Sequence, residues 1–264
     1  MSVNNVFYIG ASGLNAQQSA VDITANNLAN MNTAAFKRGA VSFSELLVAA
    51  PQRSNAMRLP TEDIAGSSPA GVAVDPSLRI FSPGTLHETG NGFNLAIKGE
   101  GFIELNSERA SGEALLWRGG TLHVGTDGFL AAPNGQALKS MISVPRDATS
   151  ITVGSDGQVL ATVPGQADPL EIGQIELVMP GDTRALQSEG NGVYRAPDDG
   201  VALSRVRSGE DNAGTLVQGY SEASNVSLSD ELVNLMMYQR AYAANARLVQ
   251  VGDELMSIAN GLKR

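Results

Sequence analysis

The chain has 264 residues, 42% of them hydrophobic and only 5% aromatic, with 29 glycines, which suits one large or two modest domains of turn-rich β-structure packed on aliphatic side chains. A formal net charge of −9 speaks against nucleic acid and anionic lipid, both of which call for clustered Lys and Arg. The lack of cysteine excludes disulfides, thiolate catalysis and Cys-based metal sites, and neither a cleavable signal peptide nor an apolar run of membrane-spanning length is present.

Proline divides the chain. All 11 prolines lie between Pro51 and Pro197, leaving long proline-free ends. Proline inside a helix costs roughly 3 kcal/mol, so the pattern predicts helix, β-rich centre, helix. At the N-terminus, Phe7, Leu14, Val21 and Leu28 recur every seven residues, and Val3 and Met31 extend the 3-4 pattern. Gly10, Gln17 and Thr24 interrupt it with small or polar side chains. Gly10 and Gly13 each cost a helix about 1 kcal/mol relative to Ala. The expected N-terminal helix, within residues 1–36, is therefore marginal alone and ordered by a partner. Asp22 is the one charged residue in that segment, which suits dense packing between identical copies.

Residues 37–85 read as an extended connector, with 51–85 rich in Pro, Ser, Ala and Gly and without periodicity. Residues 86–223 read as strands and tight turns. Runs at Asn94–Ile97, Ser150–Val153, Gln158–Val163 and Gln174–Met179 have strand character. Asp127-Gly128, Asn134-Gly135, Asp156-Gly157 and Asn191-Gly192 are turn pairs. Gly125-Thr-Asp-Gly128 echoes Gly154-Ser-Asp-Gly157, as a reused hairpin turn.

Residues 224–264 read as a second, stronger helix. Ser227 or Ser229 is its expected cap, with Asp230 and Glu231 complementing the dipole in the first turn. Leu228, Leu232, Leu235, Tyr242 and Val249 form one seam; Leu248, Val251, Leu255, Ile258 and Leu262 form a second, shifted one. A drifting stripe of this kind covers a wide face and reaches more than one neighbour. Gly261 is the expected stop, followed by Lys263 and Arg264.

Little in the sequence points to catalysis. His87 and His123 are the two imidazoles, and neither sits in a metal or nucleophile motif. Glu100 and Glu104 share a strand face and could be cast as a glycosidase pair acting on the cell wall. Solvated pairs of that spacing are far commoner. No phosphate-binding loop, dinucleotide fingerprint, zinc-protease motif or calcium loop is present. Asn225-Val226-Ser227 matches a glycosylation sequon, a short and unspecific pattern. The expected catalytic, cofactor and metal sites are none.

Three motifs carry a family resemblance. Ala11-Ser-Gly-Leu14, followed by Ala25-Asn-Asn-Leu-Ala-Asn30, Met31-Asn-Thr33 and Phe36-Lys37, resembles the N-terminal signature of the flagellar rod and hook axial family. Leu95-Ala-Ile-Lys-Gly-Glu-Gly-Phe102 is similar to its central motif. Ser224-Asn-Val226, Glu231-Leu-Val-Asn234 and Gln239-Arg-Ala-Tyr242 with Asn245 resemble its terminal helix. Two departures stand out. Leu116-Trp-Arg-Gly-Gly120 occupies the place of a Tyr-Thr-Arg-Asp-Gly-like turn, and Asn94 stands where Asp is usual. Length and the Gln218–Val226 approach are most similar to the distal-rod branch, with the proximal-rod branch as the alternative.

The resemblance implies an α+β fold: a coiled-coil domain from both chain ends and a β-rich middle. It implies a structural subunit, exported by the flagellar type III apparatus, that polymerises into a hollow axial tube and transmits torque. Implied partners are further copies, other rod proteins, the hook and the surrounding rings, with no cofactor, nucleic acid or membrane insertion. The expected subunit-interface residues are Phe7, Leu14, Val21, Asn26, Asn27, Leu28, Asn30, Asn32, Thr33 and Phe36 from the first end. From the second they are Asn225, Val226, Leu232, Leu235, Gln239, Arg240, Tyr242 and Val249. The competing reading of the asparagines is plain capping and turn formation. For the apolar residues it is an intramolecular core. Beside the rod reading stand a periplasmic wall-cleaving enzyme and a cytoplasmic coiled-coil adaptor, and neither accounts for the three motifs.

Overall fold

A computed structural model describes residues 3–49, 67–75, 78–107, 113–197, 201–210 and 212–261. Leu262, Lys263, Arg264, the Val3 side chain and much of 51–85 lie outside the described residues or side chains. The chain is α+β, with an N-terminal helix α1 (Val3–Ala29), a β-rich middle and a C-terminal helix α2 (Leu228–Gly261). It divides into two compact units. One comprises Met1–Leu28, Gly39–Pro76 and Leu228–Arg264; the other comprises Ala29–Arg38 and Ser77–Ser227.

The helical unit holds both helices and an antiparallel strand pair, Ser42–Ala49 with Ser67–Asp75. The sequence reading of 37–85 as a connector did not anticipate this ribbon. Its alternation is weak and its strands carry Pro69 and Gly71, which mask a strand signal. α1 ends sooner than residue 36. Asn30 accepts from the Thr33 N–H at 3.0 Å and Thr33 from the Phe36 N–H at 3.3 Å, so the chain leaves the helix in a tight turn.

The β-unit is built around a six-stranded antiparallel sheet, in the order Gln187–Gly190, Val193–Ala196, Ala114–Trp117, Phe102–Leu105, Leu177–Pro180 and Leu203–Val206. Period-two alternation sends its side chains to two cores. Ile103, Leu105, Leu115, Trp117, Leu177 and Val193 enter the larger cluster, beside Leu95, Ile97, Val159 and Leu216. Phe102, Leu116, Val178 and Tyr194 enter the second, against Phe81. There Phe81, Phe102 and Tyr194 meet edge to face, with centroids 5.0–5.9 Å apart, the favoured aromatic arrangement. Burial pushes the Tyr194 phenol up to about 12, partly offset by Arg79 and Arg118.

The strands expected at 94–97, 150–153 and 158–163 are present as Asn94–Lys98, Ser150–Val153 and Gln158–Thr162. The run 174–179 is split instead. Gln174 ends one strand in a three-stranded sheet and Leu177 begins another in the six-stranded sheet, so Ile175 marks a change of sheet. Asn191 (φ 52°) and Gly192 (φ 73°) turn one hairpin, both in the left-handed region that such two-residue turns require. The echoed turns are geometrically alike. The Gly125 N–H reaches Phe129 O at 2.8 Å and the Gly154 N–H reaches Gln158 O at 2.8 Å, each closed by an aspartate side chain. Ala132–Gln136 repeats the pattern with Asn134 in the aspartate position, a third copy hidden from the sequence by its proline.

Candidate functional site

The line α1 buries is not the heptad line. Gly10, Ala16, Ala20, Thr24 and Asn27 are buried, while Phe7, Leu14, Val21 and Leu28 are half-buried. Small residues bring α1 and α2 close. A Cβ built on Gly10 would lie 2.7 Å from Val249 Cγ2, and one on Gly13 would lie 2.9 Å from Asn245 Nδ2. One on Gly252 would meet the Phe7 ring at 3.4 Å. Further along, Asn27 Nδ2 donates to Glu231 at 3.2 Å and to Gly39 O at 2.9 Å, while its Oδ1 accepts from the Gly39 N–H at 2.8 Å. As the partner number rises on α1 it falls on α2, so the helices run antiparallel. The glycines that lower intrinsic helicity thus supply the space for a second helix.

The apolar residues of α2 divide by this contact. Val249 and Leu235 are half-buried and Glu231 is buried. Tyr238 meets Phe43 of the strand ribbon at 6.4 Å between centroids. Leu228, Leu232, Val233, Met236, Met237, Leu248, Val251, Leu255 and Ile258 are exposed, the last two by 58% and 61%. The second seam seen in the sequence therefore has no cover within the described residues. Tyr242, Gln239 and Arg240 are exposed too. Each large aliphatic side chain taken from water is worth roughly 1.5–3 kcal/mol. A row of them left bare along a helix marks an interaction surface.

Several of the remaining motif residues have bonds within the β-unit itself. Asn26, Asn32 and Thr33 are exposed and Asn30 half-exposed, with the Thr33 hydroxyl 3.2 Å from Asn30 Oδ1. Phe36 lies half-buried under the Arg79 guanidinium, 5.7 Å from its centroid. Asn225 Oδ1 accepts from the Arg38 N–H at 2.7 Å, and Nδ2 donates to Ile80 O at 2.8 Å and to Ser82 O at 3.1 Å. Val226 is half-buried.

One constellation in the β-unit escaped the sequence reading. Lys37 Nζ donates to Glu222 Oε1 at 2.7 Å and to Ser82 O at 3.0 Å. Arg118 Nε donates to Glu222 Oε2 at 3.3 Å, and its two terminal nitrogens donate to Gly101 O and Gly99 O. The Gly84 N–H also reaches Glu222, at 2.8 Å. All three side chains are 0–2% exposed. Desolvation pulls the Lys37 ammonium below the ordinary lysine range and Arg118 adds to the pull, while Glu222 opposes both. Lys37 belongs to the N-terminal motif, Arg118 to the Leu116–Gly120 segment and Glu222 to the Gln218–Val226 approach. Arg118 is the residue that the departing Leu116–Gly120 segment retains, and the Gly119 after it packs so tightly that a Cβ would fall 2.7 Å from Leu95 O.

Of the residues weighed for catalysis, Glu104 has its carboxylate engaged in ion pairs. Glu104 is held by Lys139 and by Arg205 Nε at 2.9 Å, beside a cleft of about 240 Å³. Burial alone would raise its carboxyl, but these hydrogen bonds and charges hold it below the usual carboxylate range. Glu100 pairs by backbone with Ala213. His87 and His123 lie in short two-stranded ladders opposite Ser221 and Ala131.

Comparison with known proteins agrees with this distribution. Residues 7–37 match the family described as flagella basal body rod protein. Residues 96–161 match the flagellar hook protein FlgE/F/G D1 domain, and residues 217–262 the C-terminal family of flagellar basal body rod FlgEFG proteins. Flagellar basal-body rod protein FlgG of Agrobacterium fabrum is 32% identical, covering 96% of this chain and 97% of its own length. FlgG of Bacillus subtilis is 29% identical over 97% and 98%. Flagellar basal-body rod protein FlgF of Caulobacter vibrioides is 30% identical over 96% and 95%. Matched over nearly its whole length by such relatives, the chain belongs to the flagellar basal-body rod protein family.

Proposed function

We propose that the chain is a structural subunit of the distal flagellar rod, without catalysis of its own, that polymerises into a hollow axial tube and transmits torque from motor to hook. The carrying observation is the bare apolar row of α2, from Leu232 to Ile258, on a helix whose opposite side is already occupied by α1. A heterologous contact between copies extends into a filament, and many such contacts in parallel give stiffness. The antiparallel approach of the helices supports a coiled-coil α-domain from residues 1–36 and 224–264, with 37–85 leading to a β-rich domain at 86–223. Similarity to FlgG-named relatives such as those of Agrobacterium fabrum and Bacillus subtilis supports the distal over the proximal branch. The partners are other rod subunits, the hook, the surrounding rings and the type III export apparatus. The location is the rod in the periplasm. No helix among the described residues is long and apolar enough to cross a membrane.

Within the candidate interface, Leu232, Tyr242, Gln239 and Arg240 face outward, with Phe7, Leu14, Val21, Leu28, Leu235 and Val249 serving both the intrachain seam and its neighbours. The test is a double substitution, Leu255→Glu with Ile258→Glu. Both sites are exposed, so isolated-chain stability should change by less than about 0.5 kcal/mol. Motility and rod formation should be lost while cellular abundance stays normal. Motile cells carrying this variant would overturn the assignment of the row as a subunit interface.

A further inference from the structure

The Lys37–Glu222–Arg118 cluster does something the exposed helix row does not. It joins residues far apart in sequence: Lys37 and Glu222 are separated by 185 positions, Arg118 and Glu222 by 104. The segments around it are equally remote. The Ala35 N–H donates to Glu222 O at 2.8 Å, the Ala223 N–H to Thr85 O at 2.8 Å, and Asn225 bonds both Arg38 and Ile80. Long-range pairings occur elsewhere in the β-unit, between Val193–Ala196 and Ala114–Trp117 and between Thr215–Gln218 and Leu95–Lys98, beside local hairpins such as Asn191-Gly192; this cluster differs in that its long-range contacts also bury charge. Local pairings close early, and contacts across long loops close late.

The charge count adds a constraint. Two cations share one carboxylate, and backbone oxygens of Ser82, Gly99 and Gly101 take other donors. Burying Lys37 and Arg118 before Glu222 arrives would place two like charges in a low-dielectric interior with no anion, which is strongly disfavoured. The two cations therefore stay hydrated until the C-terminal approach strand, Tyr220–Glu222, docks beside Leu86–Glu88.

We propose that Glu222 is a closure lock: its docking on Lys37 and Arg118 is the last step in completing the β-unit, so that a chain whose C-terminal segment has not docked remains open at residues 29–38 and 78–85. The lock acts after the main folding barrier, when both chain ends have reached the sheet. It makes completion of the β-unit conditional on the whole chain being present.

Trp117 is the one tryptophan, is fully buried and adjoins Arg118 in sequence, so its fluorescence reports the closed β-unit. Refolding and unfolding rates of the full chain are measured by stopped flow for the parent, Glu222→Gln, Lys37→Met, and Lys37→Met with Glu222→Gln. A late lock predicts that Glu222→Gln unfolds about a hundredfold faster and refolds within about twofold of the parent. Adding Lys37→Met, which removes one orphaned cation, should recover part of the loss. If Glu222→Gln does not fold, Glu222→Asp, which keeps the charge but shortens the reach, should show the same split at smaller amplitude. Refolding slowed by the full factor of the stability loss would overturn the proposal by placing Glu222 in the folding nucleus. So would parent-like rates in Glu222→Gln, or losses from Lys37 and Glu222 that simply add.

Discussion

The two units of the chain handle their apolar residues in opposite ways. In the β-unit each face of the six-stranded sheet has its own core, Phe102, Ile103, Leu105, Leu115, Leu116 and Trp117 are withdrawn from water, and even charged side chains are paired inside. In the helical unit the inward line is made of small residues, and the large ones of α2 point to solvent. The first arrangement is complete in one molecule. The second leaves the large apolar side chains of its C-terminal helix bare among the described residues, which the proposed role as a polymerising subunit accounts for.

The largest test of this contrast is a hole in the closed unit. Phe102 packs edge to face on Phe81 and Tyr194 and is 2% exposed. Phe102→Ala should cost the β-unit about 3–5 kcal/mol, read as a lowered denaturation midpoint of Trp117 fluorescence. A loss under about 1 kcal/mol would show that the second core is loosely packed and the contrast overstated.

A smaller effect comes from overfilling the helix contact. Alanine gains about 1 kcal/mol of helix propensity over glycine, and overpacking costs about 1–3 kcal/mol. At Gly10 the new methyl would press on Val249, a β-branched side chain fixed in its rotamer, so packing should win and Gly10→Ala should lose helix signal and lower its thermal midpoint. At Gly13 it would press on the end of Asn245, which can rotate, so Gly13→Ala should be near neutral. If the two variants rank the other way in circular dichroism at 222 nm, the close approach of α1 to α2 is not what the glycines serve.

These glycines also show where sequence reading works and where it stops. Proline distribution located both helices, and Asn191-Gly192 located a hairpin, because each is a local conformational rule. The heptad of Phe7, Leu14, Val21 and Leu28 was legible as periodicity, but the buried line lies beside it, on Gly10, Ala20 and Asn27. Periodicity counts large residues, and a close helix contact is made by small ones. The exposed row Leu248, Val251, Leu255 and Ile258 was visible as a second seam; only coordinates show which seam is covered. The Lys37–Glu222–Arg118 cluster was invisible for another reason. Its members lie in three separate segments of the chain, and nothing local says that three remote charges share one interior.

The smallest effect separates charge from packing at the edge of the closed unit. Glu104 is 8% exposed, but its partners Lys139 and Arg205 are half-exposed, so solvent screens the cluster. Its folded-state ionisation lies below the ordinary value of 4.5. The stabilisation is therefore fully present above about pH 4.5 and is lost as the pH falls through the lowered folded value, where the carboxylate takes up its proton. Glu104→Gln should lower stability at pH 7 by about 1 kcal/mol, the net worth of a screened charge-assisted hydrogen bond. Towards pH 3 parent and variant should converge, because protonation does to the parent what the substitution has already done. Urea midpoints measured at both pH values give the comparison directly. A difference that persists unchanged at pH 3 would mean that the Gln side chain disturbs the packing of the strand pair itself, and that the cluster's charge contributes nothing to closing this edge of the sheet.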